Sequence, residues 1–144
     1  MENINNPLDI LLRDDVEPSA AAVKLLAEIL QPYVIVGRND GVVHLSDEAE
    51  KLSTIQKTLL VFLGHLAGHC LLPDKISDPS LSQAQVIKFL LPHGMPEGTV
   101  KTNMKSLRDK KFIREHDGLL GRYEIPMSKL LKIKESYFNG PEQN

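Results

Sequence analysis

Pro92 and Pro96 stand four residues apart with Gly94 between them, in Leu91-Pro92-His93-Gly94-Met95-Pro96. Proline breaks a helix interior but is well placed in a first helical turn, so this run must end one helix and start another across a tight turn. Upstream, Ser80-Leu81-Ser82-Gln83 has the spacing of a capping box and opens a short helix with Val86, Ile87, Leu90 and Leu91 as its apolar positions. Downstream, Pro96 and Glu97 begin a helix whose buried edge is Val100, Met104 and Leu107, at i, i+4 and i+7. Two short helices joined by three residues are thus the fixed point for reading the rest of the chain.

The remaining elements follow from local punctuation. Residues 1–18 read as a flexible arm, rich in Asn and Asp, interrupted by Pro7 and Pro18, with Leu8-Asp9-Ile10-Leu11-Leu12 its apolar stretch. Ser19 can cap a helix over residues 20–31, with Val23, Leu26, Ala27 and Leu30 at helical spacing and Pro32 as its stop. Tyr33-Val34-Ile35-Val36 and Val42-Val43-His44-Leu45 flank Gly37-Arg38-Asn39-Asp40-Gly41, a hairpin signal. Ser46 and the acidic run Asp47-Glu48-Ala49-Glu50 predict a further helix start.

From Ser53 to Gly68 the pattern predicts a long helix with Ile55, Leu59, Phe62, Leu63 and Leu66 in one stripe and Thr54, Lys57 and Thr58 opposite. A loop from Leu72 to Pro79 precedes the two short helices. After them, Phe112–His116 reads as a strand, Asp117-Gly118 as a turn and Arg122–Pro126 as the returning strand. Ser128–Phe138 can form a last helix, with Leu130, Leu131 and Ile133 or Lys134 near its packing side and Gly140-Pro141 as its end. The predicted fold class is α+β, mostly helical. Its divisions are an arm (1–18), a helix and β-hairpin extension (19–52), a central domain (53–126) and a C-terminal helix and tail (127–144).

Composition narrows the function. With 42% hydrophobic and 25% charged residues in 144, the chain has room for one ordinary core and resembles neither a fibrous nor a low-complexity protein. No apolar run approaches the ~20 residues of a membrane-spanning helix, and Met1–Asn6 lacks the features of an export signal. The single Cys70 cannot form an internal disulfide, and the expected location is cytoplasmic, with no membrane association.

The net charge of -2 hides an asymmetry. Residues 1–50 carry three basic side chains (Arg13, Lys24, Arg38) against ten acidic ones, a balance of -7, whereas residues 96–144 carry ten basic against seven acidic, a balance of +3. The densest basic part runs from Thr99 to Arg122, with seven basic and three acidic residues. Screening over about 8–10 Å keeps the acidic half from cancelling such a face.

That basic part begins Gly98-Thr99-Val100-Lys101-Thr102-Asn103-Met104-Lys105-Ser106-Leu107-Arg108-Asp109-Lys110-Lys111-Phe112-Ile113. The stretch resembles the recognition helix and first wing strand of winged helix-turn-helix proteins, and the resemblance extends over roughly residues 53–126. It implies a winged helix-turn-helix fold and a DNA-binding protein, a transcriptional regulator that reads duplex DNA with helix 96–111 and wing 113–125.

Helix geometry points the same way. With Val100, Met104 and Leu107 inward, Lys101, Thr102, Lys105 and Arg108 face outward, a row able to enter a major groove about 12 Å wide. Docking by the N-terminal part of such a helix favours Thr99, Lys101, Thr102 and Lys105 at base edges, with Ser106 short enough for close approach and Arg108 donating to guanine or phosphate. Lys110 and Lys111 are expected at phosphates, and Arg114, His116 and Arg122 at the backbone or the adjacent minor groove.

One recognition helix reads few bases, so a homodimer through helix 20–31 or helix 128–138 is expected, unless both helices simply complete the core. The alternative function is a winged-helix adaptor that holds a protein partner without touching DNA. The apolar wing loop Asp117-Gly118-Leu119-Leu120-Gly121 and the acidic N-terminal half favour it.

Other chemistry finds little footing. His65 and His69, at i,i+4 beside Cys70, have metal-ligand spacing but no Glu after the first His, so polar residues beside a core stripe are the expectation, and no metal. Cys70 has no activating partner in its sequence surroundings. Gly94 and Gly98 lack the Gly-Lys-Ser/Thr of a phosphate loop. No catalytic residue and no cofactor are predicted, and the chain is not expected to be an enzyme.

Overall fold

The computed structural model describes residues 20–116 and 121–138. The arm 1–18, the cap at Ser19, the loop tip Asp117–Leu120 and the stop at Gly140-Pro141 lie outside the described residues. Within them the chain is α+β and mostly helical, with five α-helices and two small antiparallel sheets.

Helix α1 (Ala20–Leu30) leads into strands β1 (Val34–Val36) and β2 (Val43–Leu45), which pair with Ile35 opposite His44. The hairpin loop is closed by Asp40, whose carboxylate accepts from the Val42 amide at 2.9 Å. The helix expected after Ser46 is only a 3-10 turn, Ala49–Lys51. Ser46 Oγ accepts from the Ala49 amide at 3.4 Å, but Leu52 is extended (φ -79°, ψ 163°) and Ser53 restarts the chain as the cap of the next helix.

Helix α2 (Thr54–Leu71) opens on a complete capping box. Ser53 Oγ accepts from the Gln56 amide, and Gln56 Oε1 accepts from the Ser53 amide at 2.9 Å. This helix is not half-exposed as its stripe suggests: Leu60, Val61 and Thr58 are buried along with Leu59, Phe62, Leu63 and Leu66. The hairpin covers its second side. A Cβ at Gly64 would sit 2.8 Å from Val43 Cγ1, and one at Gly68 would sit 3.1 Å from the Gly41 carbonyl oxygen. The two glycines, one turn apart, form the flat seat on which the hairpin lies.

Strand β3 (Leu81–Ser82), helix α3 (Gln83–Leu90) and a 3-10 turn at Leu91–His93 follow. The capping box lies two residues later than expected. Ser82 Oγ accepts from the Gln85 amide at 3.2 Å and Gln85 Oε1 accepts from the Ser82 amide at 2.8 Å. Both frames read Ser-x-x-Gln; the later one wins because Ser80 is buried against Asp78 and Arg122.

Gly94 turns in the left-handed region (φ 82°), and Pro96 caps helix α4 (Glu97–Asp109) with extended backbone. Strand β4 (Arg114–Glu115), strand β5 (Arg122–Glu124), a 3-10 turn at Met127–Lys129 and helix α5 (Leu130–Tyr137) complete the order. The three strands β3, β4 and β5 form a sheet in the order β3-β5-β4, with Leu81 opposite Tyr123 and Glu115 opposite Tyr123 on the other side.

One buried cluster runs through the described residues. It takes Leu26, Ile29 and Leu30 from α1, Val86 and Leu90 from α3, Val100, Met104 and Leu107 from α4, and Leu130 and Ile133 from α5. Helices α1 and α5 lie side by side, tied by Lys134 Nζ to Glu28 Oε1 at 2.9 Å. Leu131, expected on the packing side of α5, is 52% exposed, as is much of Val23 on α1. Among the described residues no helix is long and apolar enough to cross a membrane.

Candidate nucleic-acid interface

Helix α4 is held against α2 and α3 by Val100, Met104 and Leu107, all essentially solvent-free. Asn103 is buried with them. Its Nδ2 donates to Thr58 Oγ1 at 3.2 Å, and Thr58 Oγ1 donates to the Thr54 carbonyl at 2.9 Å. This polar pair fixes the register of α4 on α2 inside an otherwise apolar contact. It was not legible as a site because Asn103 and Thr58 sit 45 residues apart.

The opposite side of α4 presents Lys101, Thr102, Lys105 and Arg108 to solvent, with Thr99 and Ser106 half-buried at its edges. Lys101 pairs with Glu97 at 2.8 Å and Lys105 with Asp109 at 3.1 Å. Both pairs are i,i+4 and well exposed, so screening by water leaves each a minor contributor to stability. Hydrogen bonding and charge from Lys101 hold the Glu97 carboxyl below its ordinary range. Arg108 has a different partner: its guanidinium lies 5.4 Å from the Tyr123 ring centroid, and Nη1 donates to the Tyr123 hydroxyl at 3.2 Å. Tyr123 thereby ties the end of α4 to the sheet.

The helix ends in a left-handed residue that is not glycine. Lys111 has φ 65°, its amide bonds the Arg108 carbonyl at 2.9 Å, and the Phe112 amide bonds the Leu107 carbonyl at 2.9 Å. These two bonds are the Schellman pair, with Lys111 where glycine is the usual occupant. Lys110, one residue earlier, reaches the Tyr137 hydroxyl at 3.4 Å.

The basic residues of the hairpin are engaged with the protein itself. Arg114 pairs with Glu124 at 3.1 Å across β4 and β5. Arg122 turns toward the 72–80 loop, donating from Nε to Ser80 Oγ at 2.9 Å and from Nη2 to the Ser80 carbonyl at 3.0 Å, with Asp78 at 3.4 Å. His116 Nδ1 lies 2.8 Å from Glu124 Oε1, and its Nε2 lies 3.7 Å from Asp78 Oδ1.

Partial burial pushes the Asp78 carboxyl up. The Ser80 hydroxyl and amide, Arg122 and His116 outweigh that and leave it below its usual range. The structure therefore gathers Thr99, Lys101, Thr102, Lys105, Ser106 and Arg108 on one helix, sets Lys110, Lys111 and Arg114 beyond its end, and directs Arg122 inward.

Two residues unmarked in the sequence join this end of the molecule. Lys129 and Ser128, in the 3-10 turn after β5, line a concavity shared with Arg108, Lys111 and Arg114. The signal available was a basic residue soon after Pro126, which is weak by itself.

The histidines of α2 anchor a loop. A His65 ring N–H donates to the Asp78 carbonyl at 2.8 Å and a His69 ring N–H to the Ile76 carbonyl at 2.7 Å. Burial pushes the Cys70 thiol up, away from the reactive thiolate. Comparison of the chain with protein-family models, with curated proteins and with solved structures gives no significant match.

Proposed function

We propose that the chain binds duplex DNA as a winged helix-turn-helix protein and acts as a transcriptional regulator, not an enzyme, in the cytoplasm. The observation that carries this reading is the outward row Lys101, Thr102, Lys105 and Arg108 on α4, presented by a helix that follows a short helix and a tight turn. The order helix, strand, helix, helix, strand, loop, strand from Thr54 to Glu124, with the β3-β5-β4 sheet beside α4, agrees with that architecture. Short Thr102 and long Lys105 and Arg108 suit close approach and donation to base edges and phosphates.

The acid partners of Lys101 and Lys105 do not oppose it, because exposed pairs of this strength exchange readily for phosphate contacts. Two copies on neighbouring half-sites remain part of the proposal. Since α1 and α5 already pack side by side, a dimer through them would use what they leave exposed, including Val23 and Leu131.

A second reading, an adaptor that holds a protein partner, is favoured by one observation: Lys101, Lys105 and Arg114 each have a carboxylate partner within the chain. Binding to random-sequence and genomic duplexes across a salt series separates the two. DNA binding predicts a logarithmic affinity that falls steeply with log salt, and an Arg108→Ala or Lys105→Ala loss of roughly 1–3 kcal/mol at a base contact. Absence of binding at low salt by folded protein would leave the adaptor.

A further inference from the structure

We infer that the concavity at the C-terminal end of α4 is a phosphate-binding site, distinct from the outward row of the helix and continuous with it. It is an open groove of about 480 Å³ lined by four cations: Arg108, Lys111, Arg114 and Lys129. Glu115 is the one carboxylate in the lining. The charge is less compensated than on the α4 face. Among the described residues Lys111 and Lys129 have no carboxylate within ion-pair distance, and Arg108 is bonded to the Tyr123 hydroxyl instead of an acid. With Arg114 already held by Glu124, the three remaining cations, Arg108, Lys111 and Lys129, still exceed what one carboxylate ligand would balance. They suit a tetrahedral oxyanion that accepts several charge-assisted hydrogen bonds.

A second observation, independent of charge, is the backbone of Lys111. A left-handed non-glycine residue is a local cost that native chains concentrate at ligand clamps, and here glycine would close the same Schellman pair without it. What lysine adds at that position is a positive charge on a residue that lines the concavity. Behind the cations lie Ile113 and Tyr123, both nearly solvent-free, so the floor of the concavity is part of the core. Ser128 supplies a hydroxyl on the side of the 3-10 turn.

The shared ligand chemistry is a phosphate group, from a nucleic-acid backbone or from a free phosphate ester. The backbone source rests on the DNA reading above: Lys101, Lys105 and Arg108 follow one another along α4, so a duplex lying on that face would carry its phosphates past Lys111 and Lys129.

The test uses the full chain in two arms. In the first, inorganic phosphate is titrated into ¹⁵N-labelled protein at constant ionic strength against chloride. Saturable amide shifts are expected at Lys111, Arg114, Ser128 and Lys129, weakened about fivefold in Lys129→Ala, the effect of one cation at contact distance in water. In the second, duplex DNA is titrated across salt with wild type, Lys129→Ala and Lys111→Gly, the last chosen because glycine preserves the helix end. Each variant should reduce the slope of log affinity against log salt by about 0.9, with sequence preference unchanged.

Saturation by phosphate with unaltered slopes would support the site and assign it to a free ester. Saturation together with no duplex binding by wild type would sink the DNA reading and leave the site standing. Reduced slopes without saturation by free phosphate would support the site for the diester backbone. Shifts that do not saturate, with slopes unaltered or duplex binding absent, would overturn the inference; unaltered slopes with wild-type binding intact would leave the DNA reading in place.

Discussion

Arg122 closes on Ser80 through two hydrogen bonds, one to its hydroxyl at 2.9 Å and one to its carbonyl at 3.0 Å, from a strand 42 residues away. Ser80 is fully buried, and its hydroxyl also donates to Asp78 at 2.6 Å. Strand β5 is thereby fastened to the loop that precedes α3 at the place where Ser82 pairs with Arg122.

Replacing Arg122 with alanine should therefore destabilise the fold by about 1–3 kcal/mol, since it leaves a buried carbonyl short of its donor. Lysine should not rescue it, because a single ammonium cannot reproduce the two-pronged geometry. Urea unfolding of both variants measures this. A change within about 0.5 kcal/mol, the usual range for surface substitutions, would mean that Arg122 is a surface residue after all.

Gly64 makes a second stability test. In most helices Gly→Ala gains about 1 kcal/mol, but here the new Cβ would lie 2.8 Å from Val43 Cγ1 and 3.2 Å from Cγ2. Overpacking of this kind costs about 1–3 kcal/mol, so Gly64→Ala should come out destabilised or at best neutral. Gly98→Ala on α4, where a Cβ meets nothing within 4 Å, is the control and should be stabilised. Thermal melts of the pair decide it: equal stabilisation of both would remove the seat for the hairpin.

These positions show where sequence reading stops. The turn at Gly94, the starts of α2 and α4, and the α4 core edge follow from prolines, capping residues and helical spacing, all local signals. By contrast, α2 runs past its expected end at Gly68 to Leu71, and α4 ends at Asp109 with no sequence stop to announce it. Strand β3 has two residues, too few for any alternation, and exists because β5 pairs with it. The α2 stripe understated burial because Gly64 and Gly68 acquire their meaning only when the hairpin lies on them. The inward turn of Arg122 was hidden for the same reason: nothing near it in sequence announces Ser80 and Asp78 as partners. On α4 the outward row was legible, whereas Lys129 depends on how the chain returns after β5.

Acid should loosen the fold in two stages. Burial is the main cause that lowers His65, only partly opposed by its bond to the Asp78 carbonyl. A folded pKa below the unfolded value of about 6.5 means stability is complete above that pH and is lost as pH falls through it. Asp78, lowered on balance, contributes above its unfolded value of about 3.9 and loses that contribution as pH falls further. Urea midpoints should thus decline first below about pH 6.5 and again below about pH 4. His65→Gln should flatten the upper stage only. A midpoint that stays constant or rises between pH 7 and 5 would contradict the assignment.

The backbone at Lys111 gives a prediction in which stability and binding move in opposite directions. A left-handed L-residue costs roughly 1–2 kcal/mol, and glycine recovers part of this while giving some back to the entropy of the unfolded chain. Lys111→Gly should then be more stable by roughly 0.5–1 kcal/mol, with the Arg108 and Leu107 carbonyls still capped. Lys111→Ala separates the two contributions, since it removes the ammonium but keeps the strain, and should match wild type in stability. Both variants should lose the same phosphate affinity. If glycine instead destabilised the chain, the lysine side chain would be holding the helix end through packing, and the residue would belong to the fold before it belonged to any site.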